Sequence, residues 1–398
     1  MIMEEKQKNT AQLLNQSLPN FDNQKENEFR GIISNKNNTY FIINELASST
    51  YTKTFSAIKI TLNKYKKVDS VSNEDLCIRY INKAYVQETI FKDLQIPEER
   101  VEKYYESLRN SFSKFQNLTH PNLQKLYDFI EDKNGLYFVL DFCEYTLEDF
   151  MEMTRGPMRN SKYPIELKFR KVITDILKCM QYIHSQGLCL CSLINPHEIY
   201  IKETSWGQNK SAFQVKLPHP FLAHLFTLLA LKNRSDTFPS FFAPEIYETF
   251  LEKMKKNKST DTFDGLITML KELDQNFDTW ATGYLLYQIL YNDVPFKFES
   301  IEDANNKFNL GIELTYEIFP WKISYHMLKL ISDSLRLDPK KRIQSIVLDR
   351  VIKEIEAKNA DADLLEKELK LRIERMNKDK EAVYFNCIED FQAENYSK

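Results

Sequence analysis

Tyr182-Ile183-His184-Ser185-Gln186-Gly187-Leu188-Cys189-Leu190-Cys191-Ser192-Leu193, followed by Asn195-Pro196-His197-Glu198-Ile199-Tyr200-Ile201, is the stretch on which the reading of this chain turns. Its first part closes a run from Ile165 to Ser185 in which apolar residues recur at helix spacing. The loop that follows, Cys189 to Leu193, holds no acid, no base and no arginine, so it offers no group for proton transfer near neutral pH.

On the N-terminal side of this stretch the pattern is that of a sheet. Residues 1–38 are polar, with Leu13, Leu14 and Phe21 too sparse to build a core, and read as a flexible tail. From Tyr40 the pattern alternates: Phe41-Ile42-Ile43, Thr54 to Ile60 and Leu76 to Ile81 predict three successive strands. Lys83 to Asn117 is charged and carries helical spacing at Val101, Tyr105, Leu108, Phe112 and Phe115, until Thr119-His120-Pro121-Asn122-Leu123 breaks it. Leu126 to Ile130 and Leu136 to Phe142 predict two more strands around the turn Asp132-Lys133-Asn134-Gly135.

Beyond Thr146, Leu147 to Met153, Ile165 to Ser185, Trp280 to Tyr291 and Tyr325 to Leu335 all show helix spacing. A small sheet followed by a larger helical body implies two lobes. Ala362, Leu365, Leu369, Ile373 and Met376 predict an amphipathic helix within 353–398, docked on its own domain or on a partner.

At 398 residues, 42% hydrophobic and 13% aromatic, the chain has enough apolar material for one large or two moderate cores. A net charge of −3 with interleaved signs gives no electrostatic argument for nucleic acid or an anionic membrane as partner. The longest apolar run, Phe221 to Leu231, is interrupted by His224 and Thr227 and falls short of the ~20 residues a membrane span needs. With a polar start and no signal peptide, the expectation is an intracellular, cytoplasmic chain. Cys77, Cys143, Cys179, Cys189, Cys191 and Cys387 have no repeated spacing and read as reduced thiols. A zinc site from Cys189, Cys191, His197 and His219 is disfavoured, because two cysteines one residue apart do not make the usual metal knuckle. No metal is expected.

Several landmarks then fall in a familiar order. The Tyr182–Ile201 frame resembles the catalytic loop of the eukaryotic protein kinases, whose usual core is His-Arg-Asp. Thr119 to Leu123 resembles the turn after helix C, and Leu136 to Cys143 the strand running into the hinge. Phe242-Ala243-Pro244-Glu245 resembles the Ala-Pro-Glu motif, Asp278-x-Trp280-x-x-Gly283 the helix F signature, and Asp338-Pro339-x-x-Arg342 the segment closing the large lobe. The resemblance covers about Tyr40 to Ile352. It implies an α+β, bilobal fold: a small antiparallel sheet with helix C over 39–141, and a mainly helical lobe over 142–352 with an insertion at about 248–276. It also implies a buried Glu245–Arg342 ion pair and an Asp278 that accepts hydrogen bonds from the catalytic-loop backbone.

Phosphoryl transfer needs a phosphate cradle, metal ligands and a positioned base. Here the resemblance fails at each. Ala47, Ser49 and Thr52 stand at the three glycine positions of the phosphate loop, and no glycine occurs between Gly31 and Gly135. Arg79 replaces the strand lysine, and Ser111, nine residues before His120, replaces the helix C glutamate. Ser192 replaces the catalytic aspartate, Glu198 aligns with the metal-binding asparagine, and His219 in Val215-Lys216-Leu217-Pro218-His219-Pro220-Phe221 stands at the magnesium aspartate. Cys191 removes the arginine that gathers a phosphorylated activation loop. Tyr200 stands where a leucine usually floors the adenine site, so its ring is expected to fill part of the nucleotide cleft.

The expectation is a pseudokinase with no cofactor, acting through protein partners as a scaffold or allosteric subunit. One alternative is a divergent active serine/threonine kinase using ATP and Mg, in which Lys59 or Lys83 approaches phosphate and Glu198 takes a metal. The other is a structural component of a larger intracellular assembly.

Overall fold

The computed structural model describes residues 32–49, 52–65, 68–92, 97–155, 165–207, 210–232, 241–247, 275–298, 301–309, 325–344 and 351–353. Most of the tail read at 1–38, most of the insertion at 248–276 and nearly all of the terminal helix at 353–398 lie outside these residues. The chain divides into two compact units: residues 1–119 with 124–144, and residues 120–123 with 145–398.

The first unit is a six-stranded antiparallel sheet in the order β1-β2-β3-β4-β6-β5. Its strands are β1 (Ile32–Ser34), β2 (Thr39–Ser48), β3 (Thr52–Leu62), β4 (Val68–Asn82), β5 (Leu126–Glu131) and β6 (Gly135–Asp141). Alternation in β4 decides its faces: Leu76 and Ile78 join Tyr40, Ala57, Ile130, Tyr137 and Val139 in one buried cluster. The other face carries Cys77, Arg79 and Ile81. Between β5 and β6, the Asp132 carboxylate accepts from the amides of Asn134 and Gly135. Gly135 is required there, since a Cβ would fall 2.0 Å from Cε2 of Tyr80.

Strand β1 lies inside the stretch read as a flexible tail. Its order comes from a buried carboxylate that the local pattern does not reveal: Asp128 Oδ2 on β5 accepts from Asn35 Nδ2 (2.7 Å), Asn38 Nδ2 (2.9 Å) and the Tyr40 hydroxyl (3.1 Å). Burial and the Asp128 charge together push the Tyr40 hydroxyl well above the ordinary phenol range.

The charged stretch from Lys83 onward is two helical pieces. Helix α1 (Lys83–Val86) is capped by Asn82 and runs into a π-helical turn, Gln87–Lys92; α2 (Glu98–Phe115) starts after Pro97, whose fixed φ suits a helix entry. Helix α2 leans on the sheet through Phe112 against Phe129, which in turn meets Phe138.

The second unit contains α3 (Leu147–Arg155), α4 (Ile165–Ser185), a three-stranded sheet β7 (Tyr145–Thr146), β8 (Tyr200–Gly207) and β9 (Lys210–Lys216), then α5 (Ala223–Lys232), α6 (Gln275–Tyr291), α7 (Ile301–Asn309) and α8 (Tyr325–Ser334). Helix α6 is the core of this unit, buried almost all round from Phe277 to Leu290. Gly283 lets α8 approach it: a Cβ there would lie 2.5 Å from that of Ser334. Sheet first and helices second, in two compact units, give the α+β fold expected from the sequence. Among the described residues no helix is long and apolar enough to cross a membrane.

Candidate functional site

Asp278, fully buried in the first turn of α6, organises the loop after Gly187. Its Oδ2 accepts from the Leu190 amide (2.8 Å) and faces His184 Nε2 at 3.0 Å, while Oδ1 accepts from the Cys191 amide (2.7 Å). Cys191 adopts φ 54, a left-handed conformation unfavourable for a residue with a Cβ. The two amide bonds to one carboxylate hold it there. Burial and the Asp278 charge push the Cys191 thiol far up, so it sits as a neutral, inert group.

Ser192, next in the loop, is 4% exposed. Thr227, fully buried on α5, donates from Oγ1 to Ser192 Oγ (3.0 Å) and accepts from the Ser192 amide (3.3 Å). The Ser192 hydroxyl is thus covered by another hydroxyl. Asn195 shapes the next turn, donating to the Ser192 carbonyl and accepting from the amides of His197 and Glu198. The His197 ring pairs with Glu148 on α3.

His219 is fully buried, and its Nδ1 accepts from the Phe221 amide (3.3 Å), capping the turn Pro220–Leu222 that leads into α5. That ring nitrogen is spent on backbone. His219 and His197 both serve local structure, so the structure does not gather them with Cys189 and Cys191. Among the described residues no group of three His, Cys, Asp or Glu side chains is placed to hold a metal ion.

A second set of residues braces the unit. Arg342 donates to both oxygens of Glu245 (2.6 and 2.7 Å), and to the carbonyls of Asn276, Arg336 and Leu337. All five guanidinium donors are used. Its Cζ lies 5.0 Å from the ring of Trp280, which stacks on Phe296. Asp338 caps the short turn Pro339–Lys341 and so aims Arg342 inward. Ala243 is buried beside Phe242, and Pro244 precedes the glutamate at the same corner.

In the first unit, Ala47 pairs with Thr54 in the β2–β3 ladder, and Ser49 and Thr52 close the turn between the strands by side chains. Ser49 Oγ lies 2.8 Å from Thr52 Oγ1 and accepts from the Thr52 amide (3.1 Å), while the Ser49 amide donates to the Thr52 carbonyl (2.8 Å). Amides committed in this way are not offered to a phosphate. Arg79 is buried at the centre of β4, between Thr54 and Phe138 in register. Ser111 Oγ donates to the Leu108 carbonyl of its own helix (2.8 Å). Lys83, the candidate stand-in for a phosphate lysine, donates to Glu131 at 2.6 Å. Burial pushes the Cys77 thiol up to about 12, against the pull of the Arg79 guanidinium.

Thr227 and α5 went unread in the sequence. The signal was present: Phe221, Leu222, Leu225, Phe226 and Leu229 are all buried, a spacing that fits one helix face.

The protein kinase domain family matches residues 76–354. Among curated proteins, the chain is 29% identical over 249 residues to the serine/threonine-protein kinase PLK4 of Xenopus tropicalis, covering 61% of this chain and 22% of that relative. PLK4 of Xenopus laevis matches at the same identity and coverage. A probable serine/threonine-protein kinase nek2 of Dictyostelium discoideum is 26% identical over 245 residues, covering 61% of this chain and 50% of that protein. The chain therefore spans about a fifth to a half of the length of these relatives.

Proposed function

This chain belongs to the protein kinase family, and from that premise we propose that it is a catalytically inactive member acting through protein partners as a scaffold or allosteric subunit. The observation that carries the reading is the Ser192–Thr227 contact: the position of the base holds a neutral hydroxyl, buried and hydrogen-bonded to α5. Removal of one positioned electrostatic group commonly costs ~100-fold or more in rate. Here the base position, the magnesium position at His219, the phosphate turn at Ser49–Thr52 and the Arg79/Ser111 pair all depart at once.

With no carboxylate at 192 or 219, neither ATP nor magnesium is a required cofactor on this reading. The partners are proteins, since the near-balanced charge favours no nucleic acid. The relatives' printed names make a serine/threonine kinase using ATP the competing reading.

Purified full chain, incubated with labelled ATP, magnesium and a mixed serine/threonine peptide acceptor, is expected to transfer no more label than buffer. A Ser192→Asp/His219→Asp double variant is expected to stay inactive too, because the turn at Ser49–Thr52 is still closed. Label on the acceptor that requires this chain and disappears in Ser192→Ala would overturn the proposal.

A further inference from the structure

Helix α2 stands where the protein kinases tie helix C to the sheet, yet Ser111, at the helix C tying position, does not carry that tie. Ser111 bonds back to its own helix at Leu108. Besides the Phe112–Phe129 ring contact, the charged contacts between α2 and the sheet converge on one carboxylate, Glu131, at the end of β5.

Glu131 is 10% exposed and receives two cations. Lys83 Nζ, at the start of α1, donates to Oε1 at 2.6 Å, and Arg109 Nη1, on α2, donates to Oε2 at 2.7 Å. Lys83 is held in place twice more: its amide donates to the Asn134 carbonyl, and its Nζ lies 4.4 Å from the centroid of the buried Tyr105 ring of α2. The same carboxylate, after burial, raises the Tyr105 hydroxyl above its ordinary range, as a charge close to that ring must. Arg109 Nη2 reaches back to Glu102, about two turns earlier on its own helix. That last pair is exposed and contributes little, whereas the Lys83–Glu131 contact is largely shielded from water and the Arg109–Glu131 contact is shielded on its Glu131 side.

Arg109 and Ser111 are two positions apart, about 200° around a helix. The point of attachment has therefore moved to the other side of α2. A strand lysine that pairs with helix C is shared between the helix and a nucleotide phosphate, so its hold on the helix depends on the ligand. Glu131 has no such second role: it closes a loop of contacts among β5, α1 and α2 alone.

We propose that Glu131 is the positioning residue of α2, fixing the helix on its sheet by bridging Lys83 and Arg109, whether or not nucleotide is present. Helix α2 is then a permanently set surface in the first unit. This stands apart from the question of catalysis, because phosphotransfer activity and the exchange of α2 amides are separate readouts.

The test is hydrogen exchange of the full chain, followed over residues 101–115 with β3 and β4 as internal reference. Glu131→Gln leaves two cations without their carboxylate and is expected to speed α2 exchange by tenfold or more relative to the reference strands. Arg109→Met, at a side chain 40% exposed, is expected to speed it about threefold and keeps the test open should Glu131→Gln loosen the whole sheet. Lys83→Met combined with Glu131→Gln is expected to lose no more protection than the worse single variant. Ser111→Ala is expected to change nothing. The proposal fails if Glu131→Gln and Arg109→Met leave α2 exchange unchanged, if Ser111→Ala loosens α2 as much as Arg109→Met, or if magnesium-ATP slows α2 exchange tenfold in the unaltered chain.

Discussion

Asp278 and Ser192 flank the same loop, one below it and one within it, and their surroundings differ in kind. Asp278 is a buried carboxylate ringed by the amides of Leu190 and Cys191 and by His184. Ser192 is a neutral hydroxyl closed over by Thr227. A buried charge must be fully met by donors, so whatever depends on it is held tightly. A neutral hydroxyl asks for one partner and can be sealed by a helix at little cost. The loop therefore keeps its shape through one charged residue, Asp278, while Ser192 within it carries no charge.

The sharpest way to break that contrast is to remove each group in turn. Asp278→Ala strands two buried amides and His184 Nε2, each worth about 1–3 kcal/mol when left unpaired, for a total of about 4 kcal/mol or more. Ser192→Ala removes one neutral bond and is expected to cost about 1 kcal/mol, since Thr227 Oγ1 still accepts the residue's amide. Urea unfolding followed by tryptophan fluorescence measures both. Equal losses would mean that the loop is held by its own side chains rather than by Asp278.

The Glu245–Arg342 corner extends the comparison to a charge pair. Arg342→Met removes both bonds to Glu245 and the donors to three carbonyls, so a loss of about 3 kcal/mol is expected. Glu245→Gln should cost less, because the Glu245 side chain is 33% exposed and the carbonyl bonds of Arg342 remain. If the two variants cost the same, the ion pair, and not the saturation of the guanidinium, is what braces the unit.

What could be read in advance follows the range of the interaction. The strands around Thr54–Ile60 and Leu76–Ile81, the turn at Asp132–Gly135 and the helix of Asp278 rest on periodicity and on turn chemistry within a few residues, so the sequence displays them. The Glu245–Arg342 pair spans 97 positions and was accessible only through resemblance to a family in which both ends sit in recognisable motifs. Asp128 with Asn35, Lys83 with Glu131, and Ser192 with Thr227 join residues 93, 48 and 35 positions apart with no motif at either end. Pairing between ordinary polar residues leaves no periodic trace, which is why β1, the α2 attachment and the cover over Ser192 emerge only in three dimensions.

His120 supplies the smallest effect and tests the same principle from the side of pH. Its Nδ1 accepts from the Asn122 amide (3.1 Å), and its ring stacks on Tyr182 with centroids 5.1 Å apart. Burial lowers its pKa from the ordinary 6.5, and nearby Lys216 and Lys178 push the same way against Asp175. The folded chain therefore takes up this proton less readily than the unfolded chain. Stability from this group is complete above the ordinary imidazole range and falls as pH drops through 6.5 toward the lower folded value. The urea midpoint should decline between pH 7.5 and 5 in the unaltered chain. In His120→Phe, which keeps a ring on Tyr182 but cannot take a proton, the overall midpoint should be lower and that part of the slope absent. Parallel pH profiles for the two would show that the ring gains its proton without cost, and that a neutral group in this unit is no more tightly specified than one at its surface.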